Sequence, residues 1–318
     1  MIRLLFRSLI LLFASALAGS VVIFILLRMV GGDIANVMLG QRATPEALET
    51  LRENFGLNRP LVDQYLSWIG GVFTGNLGDA YSGRYNISEQ IIQRLEPTLI
   101  LTFGSLLVAI PIALAIGLYS AMNFSRWRGA AVDGAAQVGL AIPQFFLALV
   151  LVLLFAVQLG WLPAGGYVSV FIDPLGALRA MILPIATLSL GVTAVFTRFV
   201  RTSMIEQMNE DYIRTAKAKG RTGRSAAIVH GLRNAAIPLV TIGALQIGAL
   251  IAGAVVVENV FVLPGIGRLL LTAVVGREAI VVQSLALVIL LIILVMNMLM
   301  DLLYGILDPR IRHGESRK

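Results

Sequence analysis

Residues 281–307 read VVQSLALVILLIILVMNMLMDLLYGIL, an apolar run that contains a single charged residue, Asp301. A helix needs about 20 mostly apolar residues to cross the hydrocarbon core of a bilayer. Charged side chains are costly inside that core, so their near absence here supports the same interpretation. The stretch therefore predicts a transmembrane helix.

Five earlier stretches meet the same criterion. They are approximately residues 9–27, 98–122, 135–157, 181–200 and 237–257. The chain has 318 residues, of which 58% are hydrophobic and 14% charged, and its mean hydropathy is +0.86. Soluble domains are typically about a quarter charged. We predict an all-α membrane protein with six transmembrane helices.

The first of these stretches shares features with a secretory signal peptide. Arg3 and Arg7 precede it, and the small residues Ala16 and Ala18 lie within it. Its apolar run continues to Leu27, which is longer than a signal core of about 7–15 residues. We therefore interpret it as an uncleaved anchor.

Basic residues predict the orientation, because Lys and Arg are enriched in short cytoplasmic loops. With the N-terminus inside, the short external loops hold Arg179, Arg268 and Arg277. The cytoplasmic side then holds Arg3, Arg7, Arg126, Arg128, Arg198, Arg201, Arg214, Lys217, Lys219, Arg221, Arg224, Arg233, Arg310, Arg312, Arg317 and Lys318. Both termini are therefore predicted to be cytoplasmic.

The predicted organisation has four parts. They are a first transmembrane helix at 1–30, an external loop or cap at 31–97, a five-helix membrane core at 98–310 and a cytoplasmic tail at 311–318. The external part contains helix signals at Thr44-Pro45, at 61–73 and at 87–95, ahead of Pro97. It is interpreted either as a cap packed on the bundle or as a docking surface for an external partner.

Several kinds of chemistry are absent from the sequence. There is no Cys, and His230 and His313 are far apart, so no local metal motif is present. No P-loop, zinc-protease or serine-nucleophile motif occurs. The net charge of +7 is assigned to topology rather than to nucleic-acid binding. We predict no catalytic residues, no metal and no cofactor in this chain.

Polar residues inside the predicted spans are few. Asp301 lies near one end of the last span, where pairing with Arg310 is the simplest interpretation, and Gln246 lies in the fifth. A proton-driven transporter usually needs buried ionisable groups near the bilayer centre. Their scarcity argues against a self-sufficient secondary transporter or a membrane-embedded enzyme.

A basic, helix-prone cytoplasmic loop spans residues 202–236, and Gly220 and Gly223 divide it into two short predicted helices. It resembles the coupling loop of importer-type ABC transporter permeases. The family pattern is Glu-Ala-Ala, three residues, Gly, nine residues, Ile-x-Leu-Pro. Ala216, Gly220 and Leu232 match it. Arg214, His230 and Arg233 stand where the family has Glu, Ile and Pro.

Where this loop departs from the general family pattern, it resembles one branch of the family, the dipeptide, oligopeptide and nickel permeases. The resemblance is greatest to the permease subunit that has the long first external loop. The supporting segments are DYIRTAKAKG at 211–220, HGLRNA at 230–235, GLNRPL at 56–61, GNLG at 75–78, VVENVF at 256–261, PGIGRL at 264–269, DLLY at 301–304 and DPR at 308–310.

The resemblance implies roles for two groups of residues. Coupling to an ATPase is implied for Arg214, Thr215, Ala216, Lys217, Ala218, Lys219, Gly220, Leu232 and Arg233. An external gate or a contact with a binding protein is implied for Pro264, Gly265, Ile266 and Gly267.

The resemblance also implies the partners and the location. The partners are a second permease subunit, two subunits that bind ATP and Mg²⁺, an extracytoplasmic substrate-binding protein and the lipid bilayer, with no nucleic acid. The location is the bacterial cytoplasmic membrane. Di- and oligopeptides are the first expectation for substrate, and nickel, glutathione or another small solute stay open.

Overall fold

A computed structural model describes residues 2–30, 44–83, 85–222, 225, 229 and 232–307. Within these ranges the chain is helical, apart from turns and one isolated bridge between Asp79 and Asn86. The helices are α1 (Ile2–Val30), α2 (Pro45–Asn54), α3 (Leu61–Thr74), α4 (Ile87–Met122), α5 (Trp127–Ala141), α6 (Gln144–Leu151), which continues as a π-helix (Val152–Gln158), α7 (Pro174–Met208), α8 (Asp211–Ala218), α9 (Leu232–Val260), α10 (Ile266–Val275) and α11 (Ala279–Leu307). The all-α prediction is confirmed.

Five of these helices, α1, α4, α7, α9 and α11, contain segments long and apolar enough to cross a membrane. The sixth candidate is α5 followed by α6, which meet at an angle of 97°. The predicted span at 135–157 falls on this bent pair rather than on one continuous helix. Ile142 has an extended backbone and precedes Pro143, and proline disfavours the helical conformation in the residue before it.

The first part of α4 also differs from the prediction. Residues 87–95 were expected to form a separate short helix, but α4 runs without interruption from Ile87 through Pro97 and Pro111. The side chain of Asn86 caps its start by accepting hydrogen bonds from the backbone N–H groups of Ser88 and Glu89. The helix therefore extends well beyond the apolar stretch.

The contact between α4 and α7 is the most extensive between any two described helices. A Cβ atom added to Gly104 would lie 2.7 Å from Ile185, and one added to Gly117 would lie 2.6 Å from Val200. Glycine therefore lets the two backbones approach closely, as in many membrane helix pairs. Because the paired positions advance in the same direction on both helices, α4 and α7 run parallel.

The main buried cluster lies between α4, α6, α7, α9 and α11. Its members include Leu101, Ala109, Ala148, Met181, Leu188, Phe196, Ile247, Leu250, Val257 and Phe261. The helix α1 packs on α11, where Gly19 adjoins Leu290. A smaller cluster of Phe24, Trp68 and Leu287 joins α1, α3 and α11.

Candidate functional site

The short helix α8 joins the end of α7 to the segment that leads into α9. Its Ile213 is 1% exposed and its Ala216 is 8% exposed, so one face is buried. The Tyr212 hydroxyl lies 2.5 Å from the side-chain oxygen of Gln207, near the end of α7. These contacts hold α8 against the chain on one side.

The opposite face of α8 is exposed. It carries Arg214, Thr215 and Ala218, and Lys219, just past the end of the helix, is also exposed. Arg214 contacts Asp211 at 3.4 Å, but both side chains are largely in solvent, and such pairs contribute about 0–1 kcal/mol. The exposed face is therefore available to a partner.

A turn ends α8 at Gly220, as the sequence predicted. Gly220 has φ of 89°, a conformation that residues with a Cβ rarely adopt. The backbone N–H groups of Lys219 and Arg221 donate hydrogen bonds to the carbonyls of Thr215 and Ala216. The chain therefore changes direction sharply at this residue.

Parts of the predicted coupling loop differ from expectation or lie outside the described residues. The helix α7 continues to Met208, so residues 202–208 are its last turns rather than a loop. The second short helix falls largely on residues that are not described, and so do the side chains of Lys217, Leu232 and Arg233. Their coupling roles stay predictions.

An ion pair joins α5 and α7 near α8. Arg201 Nη1 lies 3.4 Å from Asp133 Oδ1, and the two side chains are 22% and 24% exposed. The Nε atom of Arg201 is buried without a hydrogen-bond acceptor. Because the pair is largely shielded from water, its attraction is screened less than that of a surface pair.

The loop between α9 and α10 contains the predicted gate residues. Gly265, Ile266 and Gly267 are buried within the chain, and Pro264 is half-buried. A Cβ atom at Gly265 would collide with the carboxylate of Glu258. Because three of the four are covered by this chain, the observed packing is internal, and the contact with a binding protein stays a prediction.

Glu258, near the end of α9, has no solvent exposure and fixes this loop. Thr98 Oγ1 on α4 donates a hydrogen bond of 2.6 Å to its Oε1, and the Arg268 N–H donates one of 2.9 Å to its Oε2. Thr98 Oγ1 accepts a hydrogen bond of 2.9 Å from the Ile266 N–H. The carboxylate therefore lies at the N-terminus of α10, where the helix dipole favours negative charge.

A second glutamate on α4, Glu96, holds the loop between α6 and α7 (residues 159–173). Its carboxylate accepts hydrogen bonds from the Tyr167 hydroxyl at 2.9 Å, the Ser169 hydroxyl at 2.9 Å and the Val170 N–H at 2.9 Å. Burial, and then the hydrogen bond to this carboxylate, raise the pKa of Tyr167 to about 12. The tyrosine therefore remains a donor at neutral pH.

The two loops also contact each other. The Gly166 N–H donates a hydrogen bond of 3.1 Å to the Phe261 carbonyl, and Gly165 packs directly on that carbonyl. Residues 96–98 of α4 thus hold both loops in one hydrogen-bonded unit. Sequence reasoning missed it, because Glu96 and Glu258 lie at the ends of predicted spans and read as loop residues.

The two predicted site groups are not brought together. The coupling residues lie before α9 and at its start, whereas the gate residues follow it, and a helix of 29 residues is about 43 Å long. Asp301 is exposed in the described chain, and its predicted partner Arg310 lies outside the described residues. Any communication between the two groups must therefore pass along the helices.

The chain forms a bundle of apolar helices long enough to cross a membrane, with a short polar helix before α9 and hydrogen-bonded loops after it. This is the architecture of a multi-pass membrane protein. Residues 113–313 match the family described as "Binding-protein-dependent transport system inner membrane component". Residues 1–102 match the corresponding N-terminal family. The chain belongs to this family and is a membrane translocation subunit rather than an enzyme.

The similar proteins are permeases of related systems. One, from Brucella abortus (strain 2308), has a name that assigns it provisionally to a peptide transport system; it is 37% identical over 294 residues, which cover 92% of this chain and 94% of the relative. The glutathione transport system permease protein GsiC of Escherichia coli (strain K12) shows the same identity and coverage. The expected dipeptide, oligopeptide and nickel permease branch and the inner-membrane location are confirmed, whereas the orientation of the termini stays a prediction.

Proposed function

We propose that this chain is one of two permease subunits of an ATP-driven importer of short peptides, and that α8 is its coupling helix. The observation that carries the proposal is the division of α8 into a buried and an exposed face. Two ATP-binding subunits would supply ATP and Mg²⁺, and an external binding protein would deliver the substrate.

The helix α8 is only eight residues long. An isolated helix of eight residues is unstable in water, so packing must hold it in place. Burial of Ile213 and Ala216 supplies that packing, and the Tyr212–Gln207 contact fixes its position against α7. A groove on a partner that grips the exposed face could therefore displace α7 without first deforming α8.

Short peptides are proposed as substrate because two relatives of equal identity are named for peptide and glutathione transport. Glutathione is itself a modified tripeptide, so both names share peptide-type chemistry. Glutathione is therefore the second candidate. A nickel complex is named by neither of these two relatives.

The coupling proposal is tested with Gly220→Val and the matched control Gly160→Val. Both glycines have positive φ (89° and 65°), and a Cβ atom would meet nothing within 4 Å at either. The backbone strain should therefore be similar, at about 1–3 kcal/mol. The chain is coexpressed with its operon neighbours, and ATPase activity is measured with and without loaded binding protein.

The expected result is that Gly220→Val abolishes stimulation by the binding protein while Gly160→Val retains it. Equal stimulation of the two variants, at equal assembly, would contradict a coupling role for α8. A ligand panel on the binding protein then tests the substrate. If the chain purifies alone and moves solute without an ATPase, it is a secondary transporter and the importer proposal is wrong.

A further inference from the structure

A polar cavity of about 440 Å³ lies between α1, α3, the turn after α3 and α11. It is lined by Phe24, Arg28, Phe55, Gly56, Arg59, Gln64, Ser67, Trp68, Gly71, Thr74, Asn76, Leu77, Gly78, Asp79, Tyr81, Ile280 and Gln283. None of these described lining residues lies on α4, α7, α8 or α9. The cavity is therefore separate from both site groups considered above.

Two buried polar atoms of the lining residues have no hydrogen-bond partner. Trp68 is 9% exposed, and its indole Nε1–H has no acceptor. The side-chain oxygen of Gln64 is buried without a donor, while its amide nitrogen donates to the carbonyls of Leu57 and Arg59. Buried polar groups are normally satisfied, so an unpaired donor and an unpaired acceptor beside one cavity indicate a missing ligand.

The cavity also holds two arginines. Neither Arg28 nor Arg59 forms an ion pair with a described residue. The Arg28 guanidinium lies 5.3 Å from the centre of the Phe24 ring. Arg28 and Tyr81 both line the cavity; burial raises the pKa of Tyr81, and the charge of Arg28 opposes that rise. A guanidinium fork is well suited to bind a phosphate.

We propose that this cavity binds the headgroup of a membrane phospholipid that carries both a phosphate and an ammonium group, such as phosphatidylethanolamine. The phosphate accepts hydrogen bonds from Arg28, Arg59 and the Trp68 indole. The ammonium group donates to the free oxygen of Gln64 and to Asp79. Both orphaned atoms are then satisfied by one ligand.

The position of the cavity favours a lipid over a soluble anion. Arg28 lies in the last turn of the apolar helix α1, at the end of a candidate membrane span that ends at Met29. Arginine side chains at the ends of spanning helices reach toward the headgroups. Trp68 and Tyr65 on α3 lie beside it, and such aromatic residues are enriched at that interface. Exposed apolar side chains run along α1 away from the cavity, at Val22, Ile25 and Leu26, and offer a surface for acyl chains.

The test uses the full chain, coexpressed with its operon neighbours, purified in mild detergent and stripped of lipid. Bound lipid is counted by native mass spectrometry after addition of phosphatidylethanolamine, phosphatidylglycerol or inorganic phosphate. Trp68→Phe removes the N–H and keeps a ring beside Phe24 and Tyr65. Arg59→Gln removes a charge from an exposed side chain, so its effect on folding is small.

Two matched controls lie outside the cavity. Trp161→Phe changes a tryptophan that is 69% exposed, and Arg179→Gln changes an exposed arginine. Trp68→Phe and Arg59→Gln should each lower the affinity for phosphatidylethanolamine by about tenfold or more, because hydrogen bonds to a charged group are strong. Both controls should bind as the unaltered chain does.

Three outcomes would overturn the proposal. Equal lipid affinity in all four variants would show that the cavity holds no headgroup. If the unaltered chain bound phosphatidylglycerol as tightly as phosphatidylethanolamine, the proposed ammonium site would be wrong. Binding of inorganic phosphate as tight as that of the lipid would show a site for soluble anions instead. If Trp68→Phe fails to assemble, the lipid affinity of Arg59→Gln alone tests the proposal.

Discussion

Replacing Thr98 by Val tests the hydrogen-bonded unit at residues 96–98 and the two loops it holds. Valine has nearly the shape of threonine, so packing is preserved while the hydroxyl is lost. That hydroxyl donates to the buried carboxylate of Glu258 and accepts from the Ile266 N–H, and no water-exposed alternative exists because Thr98 is 5% exposed. Two hydrogen bonds linking α4 to α9 and α10 therefore disappear together.

The size of the effect follows from leaving two buried groups without a partner. A buried donor or acceptor left unpaired costs about 1–3 kcal/mol, and the substitution removes a partner from both the Glu258 oxygen and the Ile266 N–H. We expect Thr98→Val to lower the free energy of unfolding by about 3 kcal/mol. Thr102→Val is the control, because Thr102 is equally buried but donates only to the Thr98 carbonyl, within the same helix.

The two variants are compared by unfolding in mixed detergent micelles and by hydrogen exchange. Thr98→Val should speed amide exchange across residues 263–269, and Thr102→Val should leave it unchanged. If the two free energies of unfolding agree within about 0.5 kcal/mol, the hydroxyl does not hold the loop and the reasoning is refuted.

Three further predictions address other parts of the bundle. Gly117→Ala places a methyl carbon 2.6 Å from the α7 side chain it faces and should cost about 1–3 kcal/mol of unfolding free energy, whereas Gly134→Ala, with nothing within 4 Å, should cost nothing. Subtracting the pH titration of Tyr167→Phe from that of the unaltered chain should leave the signal of one tyrosine with a pKa of about 12. A tyrosine in the unfolded chain has a pKa of about 10. The contribution of Tyr167 to stability is therefore complete below about pH 10 and is lost as the pH rises through the pKa of the folded state. A double-mutant cycle with Asp133→Asn and Arg201→Gln should give a coupling of about 1 kcal/mol, and a value near zero would mean that water screens the pair.

Features that depend on the local sequence were predicted correctly. Five of the six apolar stretches lie inside single helices and the sixth lies on the bent pair, although α4 and α7 extend well beyond the stretches that predicted them. Gly220 predicted the turn after α8, because the required backbone conformation excludes most other residues. Short sequence motifs were sufficient to identify the family resemblance without knowledge of the fold. These features depend on residues that are near each other in the chain.

The effect of each proline on its helix could not be predicted from the local sequence. Pro97, Pro111 and Pro184 lie inside continuous helices, whereas Pro143 marks a sharp break. In a bundle, neighbouring helices and side chains can satisfy the backbone groups that proline frees, so the outcome depends on tertiary contacts rather than on proline itself. One sequence does not reveal those contacts.

The glutamate contacts were hidden for a similar reason. Thr98 and Glu258 are 160 positions apart, and Glu96 and Tyr167 are 71 apart. Hydrophobic periodicity says nothing about such pairs. A glutamate at the edge of an apolar run looks like a solvated loop residue until the helix that buries it is known.

The parallel packing of α4 and α7 has a consequence for biosynthesis. Parallel neighbours cannot form a simple hairpin, so α4 cannot acquire its closest partner until the intervening residues 123–173 and then α7 itself have been synthesised. During that interval the glycine-lined face of α4 must be sheltered by lipid, by the insertion machinery or by the bent pair α5–α6. Ribosome pausing or truncation before the end of α7 would therefore leave an inserted but unpaired helix, which is the kind of intermediate that membrane proteases remove.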